Sequence, residues 1–276
     1  MTQTHETRPR PGVAPIVVLT LLELAILTEA HRIGTLLEAG ELEHATSPPT
    51  TPPIPTDARA SAAVDEAARA AHAQARSSLQ ARGLLGADGL VPQDTRSGQV
   101  LTTLLDVMAL ATSVVVVERI VGAIEERDVP ERHSTRALHL CDLAAVVQDL
   151  TDEGLVALDL LLDPGEAAGA LVDVVLPPDV RDASDAGGPD RVLGPAGAES
   201  LPDLLDRPTV LVETMVIHPD EDDDPAAHPG PATPSTLLAL GPGGCFLAHR
   251  TAGAPPTAYR PVSVREIQDH LGSLCR

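Results

Sequence analysis

One eight-residue pattern constrains the fold of this chain more than any other feature. Val114-Val-Val-Val-Glu-Arg-Ile-Val121 returns as Thr209-Val-Leu-Val-Glu-Thr-Met-Val216. Val115, Val117, Glu118 and Val121 are matched by Val210, Val212, Glu213 and Val216. Both copies are rich in β-branched residues and read as strands. Each copy follows a helical segment. Each is followed by a polar loop, further strands with a turn, and a closing helix. Two such β-β-β-β-α halves can pair into one antiparallel sheet. The expected fold class is therefore α+β: a central antiparallel sheet from two meander-plus-helix halves in a pseudo-two-fold arrangement, with helical bundles packed on it.

The first hundred residues read mainly as helix. Ile16 to Leu19 forms a short strand. Thr20-Leu-Leu-Glu23 then has capping-box spacing, Thr as N-cap and Glu three residues on. Leu22, Ile26, Ile33 and Leu37 follow at helical spacing, and Gly40 closes a helix over 21–39. Five prolines between His44 and Thr56 make an extended connector. An Ala-rich helix covers Asp57 to Arg82, its thin apolar stripe being Val64, Ala68, Ala71, Ala75 and Leu79. A third helix covers Gly98 to Ala111, with Leu101, Leu104, Leu105 and Met108 on one side.

Beyond it, Ser113–Val121 is a strand and Glu125–Arg132 a charged loop. Arg136–Leu140, Ala144–Leu150 and Leu155–Leu162 are further strands. Pro164 opens a helix over Gly165–Val175, at the first-turn position proline favours. Asp179–Glu199, rich in Asp, Ala, Gly and Pro, reads as a linker or long surface loop. A short helix at Ser200–Asp206 and a strand at Thr209–Ile217 follow. Pro219–Pro234 is an acidic excursion. Thr236–Leu240 and Cys245–His249 form a hairpin around Gly241-Pro-Gly-Gly244. A last strand ends at Val262, and Ser263-x-x-Glu266 caps a final helix. The expected organisation is an N-terminal half over 1–178, a linker over 179–199 and a C-terminal half over 200–276, joined into one integrated domain.

Charge excludes several functions. The 276 residues carry a net charge of -21. All 19 basic residues are arginine, and no run of them occurs. Phosphate contacts need clustered positive charge, so no nucleic-acid partner is expected. An anionic membrane surface is disfavoured for the same reason. The apolar stretch Val13–Leu27 contains Glu23, lacks a small-x-small cleavage pattern and is too short to span a bilayer. Neither membrane insertion nor a signal peptide is expected. Cys141, Cys245 and Cys275 are odd in number, widely spaced and without a CxxC, so they read as buried thiols in a reducing cytoplasm.

The residues yield no argument for catalysis. GxSxG, HExxH, GxGxxG and Walker patterns are absent from the chain. His218 and His228 bracket Asp220-Glu-Asp-Asp-Asp224, but Pro225 and Pro231 stand where a calcium loop needs Gly and Glu. His139 and Cys141, two apart with Asp142 beside them, lack an orienting group and an oxyanion site. The expectation is a non-enzyme with no catalytic, cofactor or metal site and no cofactor.

The order of features resembles the EspG family of type VII secretion chaperones. The resemblance rests on Leu19-Thr-Leu-Leu-Glu-Leu-Ala-Ile-Leu-Thr-Glu29 and on Ser78-Leu-Gln-Ala-Arg-Gly-Leu84. It rests further on Leu171-Val-Asp-Val-Val-Leu-Pro177, on Gly244-Cys-Phe-Leu-Ala-His-Arg250, and on the segment from Pro261-Val-Ser-Val to Leu274. It implies one-to-one binding of a secreted helical protein substrate (a PE/PPE-like pair) in the cytoplasm before export. By its place in the topology alone, the loop with Glu125, Glu126, Arg127, Asp128, Glu131 and Arg132 is the candidate partner-binding element. The alternative is a generic cytosolic protein-interaction or regulatory module without a secretion role. An exposed apolar patch at one end of the sheet favours the chaperone. A symmetric homodimer interface over that end favours the alternative, and a deep pocket with perturbed titratable groups favours an enzyme. The sequence leaves the oligomeric state open.

Overall fold

In a computed structural model of the chain, Thr20 ends a short strand, β1 (Val17–Thr20), and caps the helix behind it, α1 (Leu21–Ala39). The amide of Thr20 donates to Glu23 Oε2 at 2.9 Å, and the amide of Glu23 donates to Thr20 Oγ1 at 3.1 Å. This is the capping box expected from the spacing. The structure describes residues 15–39, 58–122, 132–151, 153–177, 180–183, 186–188, 190–192, 210–218, 235–250 and 258–276. The chain divides into two units, Val17–Asp106 and Val107–Arg276 with Met1–Ile16.

The first unit is helical. α2 (Ala58–Ala81) packs on α1, and α3 (Arg96–Ala109) begins in this unit. Leu24, Ile26, Leu27 and Ala30 of α1 are buried, as are Ala75 and Leu79 of α2 and Leu101, Leu104 and Leu105 of α3. The expected stripe of α1 is shifted: Leu22 is exposed and Glu23 is buried. The shift is tolerated because the Glu23 carboxylate finds hydrogen-bond partners, which a buried charge requires. α3 starts at Arg96, two residues before the expected Gly98, because Thr95 Oγ1 accepts from the Gly98 amide as an N-cap. His31 Nε2 lies 2.9 Å from Asp106 Oδ1 and ties α1 to α3.

The second unit carries the sheet. Its strands are β2 (Ser113–Val121), β3 (Arg132–Leu140), β4 (Ala145–Leu150), β5 (Leu155–Leu161), β6 (Arg191–Val192), β7 (Val210–Ile217), β8 (Ser235–Gly241), β9 (Gly244–Arg250) and β10 (Ala258–Val262). Within the unit they run in the order β5-β4-β3-β2-β7-β8-β9-β10-β6. Every neighbouring pair is antiparallel. The two segments that repeat in the sequence are β2 and β7, and they pair with each other. Two four-strand meanders thus stand back to back, giving the α+β class expected. The meanders end in α4 (Ala167–Val175) and in α5 (Val264–Leu274).

Alternation along the strands places both helices on one face of the sheet. Val115 and Val117 of β2, Val210 and Val212 of β7, and Leu238 and Leu240 of β8 point to that face. They share a core with Leu171 and Val175 of α4 and with Ile267 and Leu271 of α5. The two helices also pack against each other. Arg136 of β3 fastens α4 to the sheet. Its Nε and Nη2 donate to the two Asp149 oxygens at 2.6 and 2.7 Å, and its Nη1 donates to the Ala170 carbonyl at 2.6 Å. On the other face, Ala183, Ala239, Phe246, Ala248 and Tyr259 form a second cluster in the second meander.

Three local expectations change. β3 begins at Arg132 rather than Arg136, because Arg132–Thr135 pair with Glu118–Val121 of β2. Cross-strand pairing overrides the polar composition that reads as loop. A 3-10 turn at Pro164–Glu166 precedes α4, so the helix proper starts at Ala167. Within 179–199, Arg191 and Val192 pair with Tyr259 and Ala258 as β6. That stretch is also held elsewhere: the Ala183 amide donates to the Val262 carbonyl at 3.3 Å, and Asp182 Oδ1 accepts from the Val264 amide at 2.7 Å.

Candidate interaction surface

The loop named by topology can be followed only to its base. Glu125, Glu126, Arg127, Asp128 and Glu131 lie outside the described residues, as do the Pro-rich connector, the Ser200–Asp206 segment and the acidic excursion 219–234. Arg132 belongs to a strand rather than a loop, its backbone standing opposite Val121 in β3. That register sets Arg132 at the end of the sheet where β2 finishes.

The opposite end, where β2 begins, carries the most exposed large apolar side chains among the described residues of this unit. The Thr112 amide donates to the Leu140 carbonyl at 2.9 Å, and Ser113 stands across from Leu140. Leu140 opposes Ala145, and Ala145 opposes Leu161. Three leucines project from this row of strand ends. Leu110, in the link from α3, is 70 % exposed. Leu143, in the β3–β4 turn, is 84 % exposed, and Leu162, just past β5, is 78 % exposed. A single exposed leucine is ordinary on a protein surface, but three at one sheet end form a patch. Sequence reasoning passed over them. The available signal was a leucine in a turn, at Leu143, and a third successive leucine after Leu160 and Leu161, which breaks strand alternation.

The first unit has its own polar lock. Glu23 is 5 % exposed, and its Oε1 accepts from Ser78 Oγ at 2.7 Å. Arg82 Nη1 lies 3.4 Å from both Glu23 oxygens, and its Nη2 donates to the Val18 carbonyl at 2.7 Å. Burial pushes the Glu23 carboxyl up, but the Thr20 amide, the Ser78 hydroxyl and the Arg82 guanidinium together hold it below the ordinary value. Two segments far apart in the chain, Leu19–Glu29 and Ser78–Leu84, therefore meet at this carboxylate. Val18, Leu21 and Leu22 beside it remain exposed.

The residues considered for chemistry are dispersed. His139 Nε2 pairs with Gln148 Oε1 at 3.0 Å, and burial lowers its pKa. Cys141 lies past the end of β3 in a turn, where its Sγ donates to the Ala144 carbonyl at 3.2 Å. The two do not form a pair. Burial and the nearby Asp182 push the Cys245 thiol up to about 12, and burial pushes Cys275 up to about 11. His218 Nδ1 sits 3.5 Å from the Thr112 carbonyl, while His228 lies outside the described residues. Among the described residues no three His, Cys, Asp or Glu side chains are grouped to hold a metal ion. No described helix is long and apolar enough to cross a membrane.

No protein-family model matches the chain, and no curated protein matches it. Among solved structures the chain is similar to the Mycobacterium tuberculosis type VII secretion system chaperone EspG5 in complex with the PE25–PPE41 dimer. The identity is 12 %, the TM-score is 0.45, and the match covers 72 % of this chain and 83 % of that one.

Proposed function

We propose that this chain is a non-enzymatic cytoplasmic chaperone or adaptor. In this reading it binds a secreted helical protein of the PE/PPE kind and keeps it soluble for export by a type VII secretion system. The observation that carries the reading is the group of exposed leucines, Leu110, Leu143 and Leu162, at one end of the sheet. A surface of this kind suits an aggregation-prone apolar partner. The net charge of -21 gives the complex the self-repulsion that keeps it dispersed. The chain needs no cofactor for such a task.

Co-expression with a PE/PPE-like pair from the same genome tests the reading, followed by size-exclusion chromatography. Stoichiometric co-elution, with the pair insoluble when expressed without the chain, is the expected result. A pair that is soluble by itself and elutes separately overturns it.

A further inference from the structure

The leucine end of the sheet has a charged rim, and the rim bears on what docks there. Four adjacent strands, β2 to β5, span about 15 Å at the usual strand spacing, and Leu110, Leu143 and Leu162 adjoin the ends of those strands on one side of the sheet. Asp142 adjoins Leu143 in the β3–β4 turn, and Asp163 follows Leu162; both are exposed. Glu166, also exposed, closes the same turn, with its amide donating to the Asp163 carbonyl at 3.0 Å. The segments 110–113, 140–145 and 160–167 contain no arginine. The apolar side chains thus stand beside three exposed carboxylates, in segments that contain no arginine.

That charge pattern selects among occupants. A second copy of the chain would bring the same carboxylates against these, on top of the repulsion between two bodies of net charge -21. An anionic membrane is repelled in the same way. We propose that this end of the sheet takes a protein segment whose apolar anchors are flanked by arginine or lysine. The apolar contact supplies the affinity, and the carboxylate rim supplies the choice of partner. The proposal deepens the protein-binding reading above and rests on it.

Fluorescence anisotropy with two synthetic helical peptides tests it on the full chain. One peptide presents leucines flanked by arginines; the other has glutamate in place of each arginine. The arginine peptide is expected to bind about tenfold or more tightly than its counterpart. Its affinity is expected to fall about tenfold in the Leu143→Ser/Leu162→Ser variant, and with salt or in the Asp142→Asn/Asp163→Asn variant. Both leucines are largely exposed, so these substitutions leave the core intact. Four outcomes overturn the proposal: no binding of the arginine peptide up to about 1 mM, equal binding of both peptides, unchanged affinity in the serine variant, or a wild-type dimer that the serine variant abolishes. The serine variant also separates the two readings. A secreted pair that still co-elutes with it overturns this site alone, whereas a wild-type chain that binds the arginine peptide but no secreted pair overturns the chaperone reading alone.

Discussion

Glu118 on β2 stands directly across from Glu213 on β7, and the two occupy equivalent places in the repeated sequence segments. Like charges at opposed positions destabilise a strand pair. Glu213 is compensated on its own side: Arg250 Nη1 donates to its two oxygens at 3.0 and 3.1 Å, and the Ser235 hydroxyl donates to Oε1. Glu118 is exposed. The Glu118→Gln variant is therefore expected to be more stable than wild type by up to about 1 kcal/mol at low salt. Urea denaturation at two ionic strengths checks this, and the gain should shrink as salt rises.

Replacing Glu23 with alanine removes the capping partner of Thr20, takes the acceptor from the Ser78 hydroxyl and strips Arg82 of its ion pair, leaving its bond to the Val18 carbonyl. The expected loss is about 3 kcal/mol. The linkage has a definite sign. The folded-state pKa of Glu23 is depressed, so its contribution is complete above the ordinary value of 4.5 and disappears as pH falls through the lower folded value. Hydrogen exchange of α1 amides, followed from neutral to acid pH, should show protection lost below pH 4.5 in wild type. A protection profile unchanged across that range would contradict the account.

The β8–β9 hairpin turns at Pro242-Gly243, and Gly244 opens β9 with a φ of +139°. A Cβ at Gly244 would stand 2.6 Å from the Ala183 Cα and 3.0 Å from its Cβ. Gly244→Ala combines backbone strain with a steric clash, and about 2 kcal/mol of stability should be lost. A shift of the thermal midpoint by less than a degree would show that the Ala183 segment moves away freely.

Arg136 joins β3, β4 and α4 through one planar group. Arg136→Lys keeps the charge but cannot reproduce the two-pronged contact to Asp149 while also reaching the Ala170 carbonyl. The expected cost is about 1–2 kcal/mol in a denaturant titration.

Cys245 should be inert in the native protein. Its thiol is pushed up to about 12, and its Sγ already donates to the Arg181 carbonyl at 3.0 Å. Mass spectrometry after brief exposure to a thiol reagent at pH 8 should find Cys245 unlabelled until denaturant is added.

Local chemistry in the sequence determined the elements and their ends. Thr20 with Glu23, and Ser263 with Glu266, announced two helix starts because a capping box needs only residues three apart, and both boxes form. The repeated valine-rich segments announced two strands and an antiparallel α+β sheet, because β-branched alternation is a property of neighbours along the chain. The Gly241–Gly244 turn was legible for the same reason. What the sequence left undetermined depends on partners distant in the chain. Arg132–Thr135 look like loop until β2 pairs with them. Arg191 and Val192 look like linker until β10 does. Glu23 looks like a surface residue of α1 until Ser78 and Arg82, more than fifty positions away, satisfy it in the interior. The leucine surface arose in the same way. Leu110, Leu143 and Leu162 are unremarkable apolar residues along the chain, and only strand register gathers them, largely exposed, at one end of the sheet. Burial and proximity are set by the closing of long loops in three dimensions, so no reading of neighbouring residues contains them.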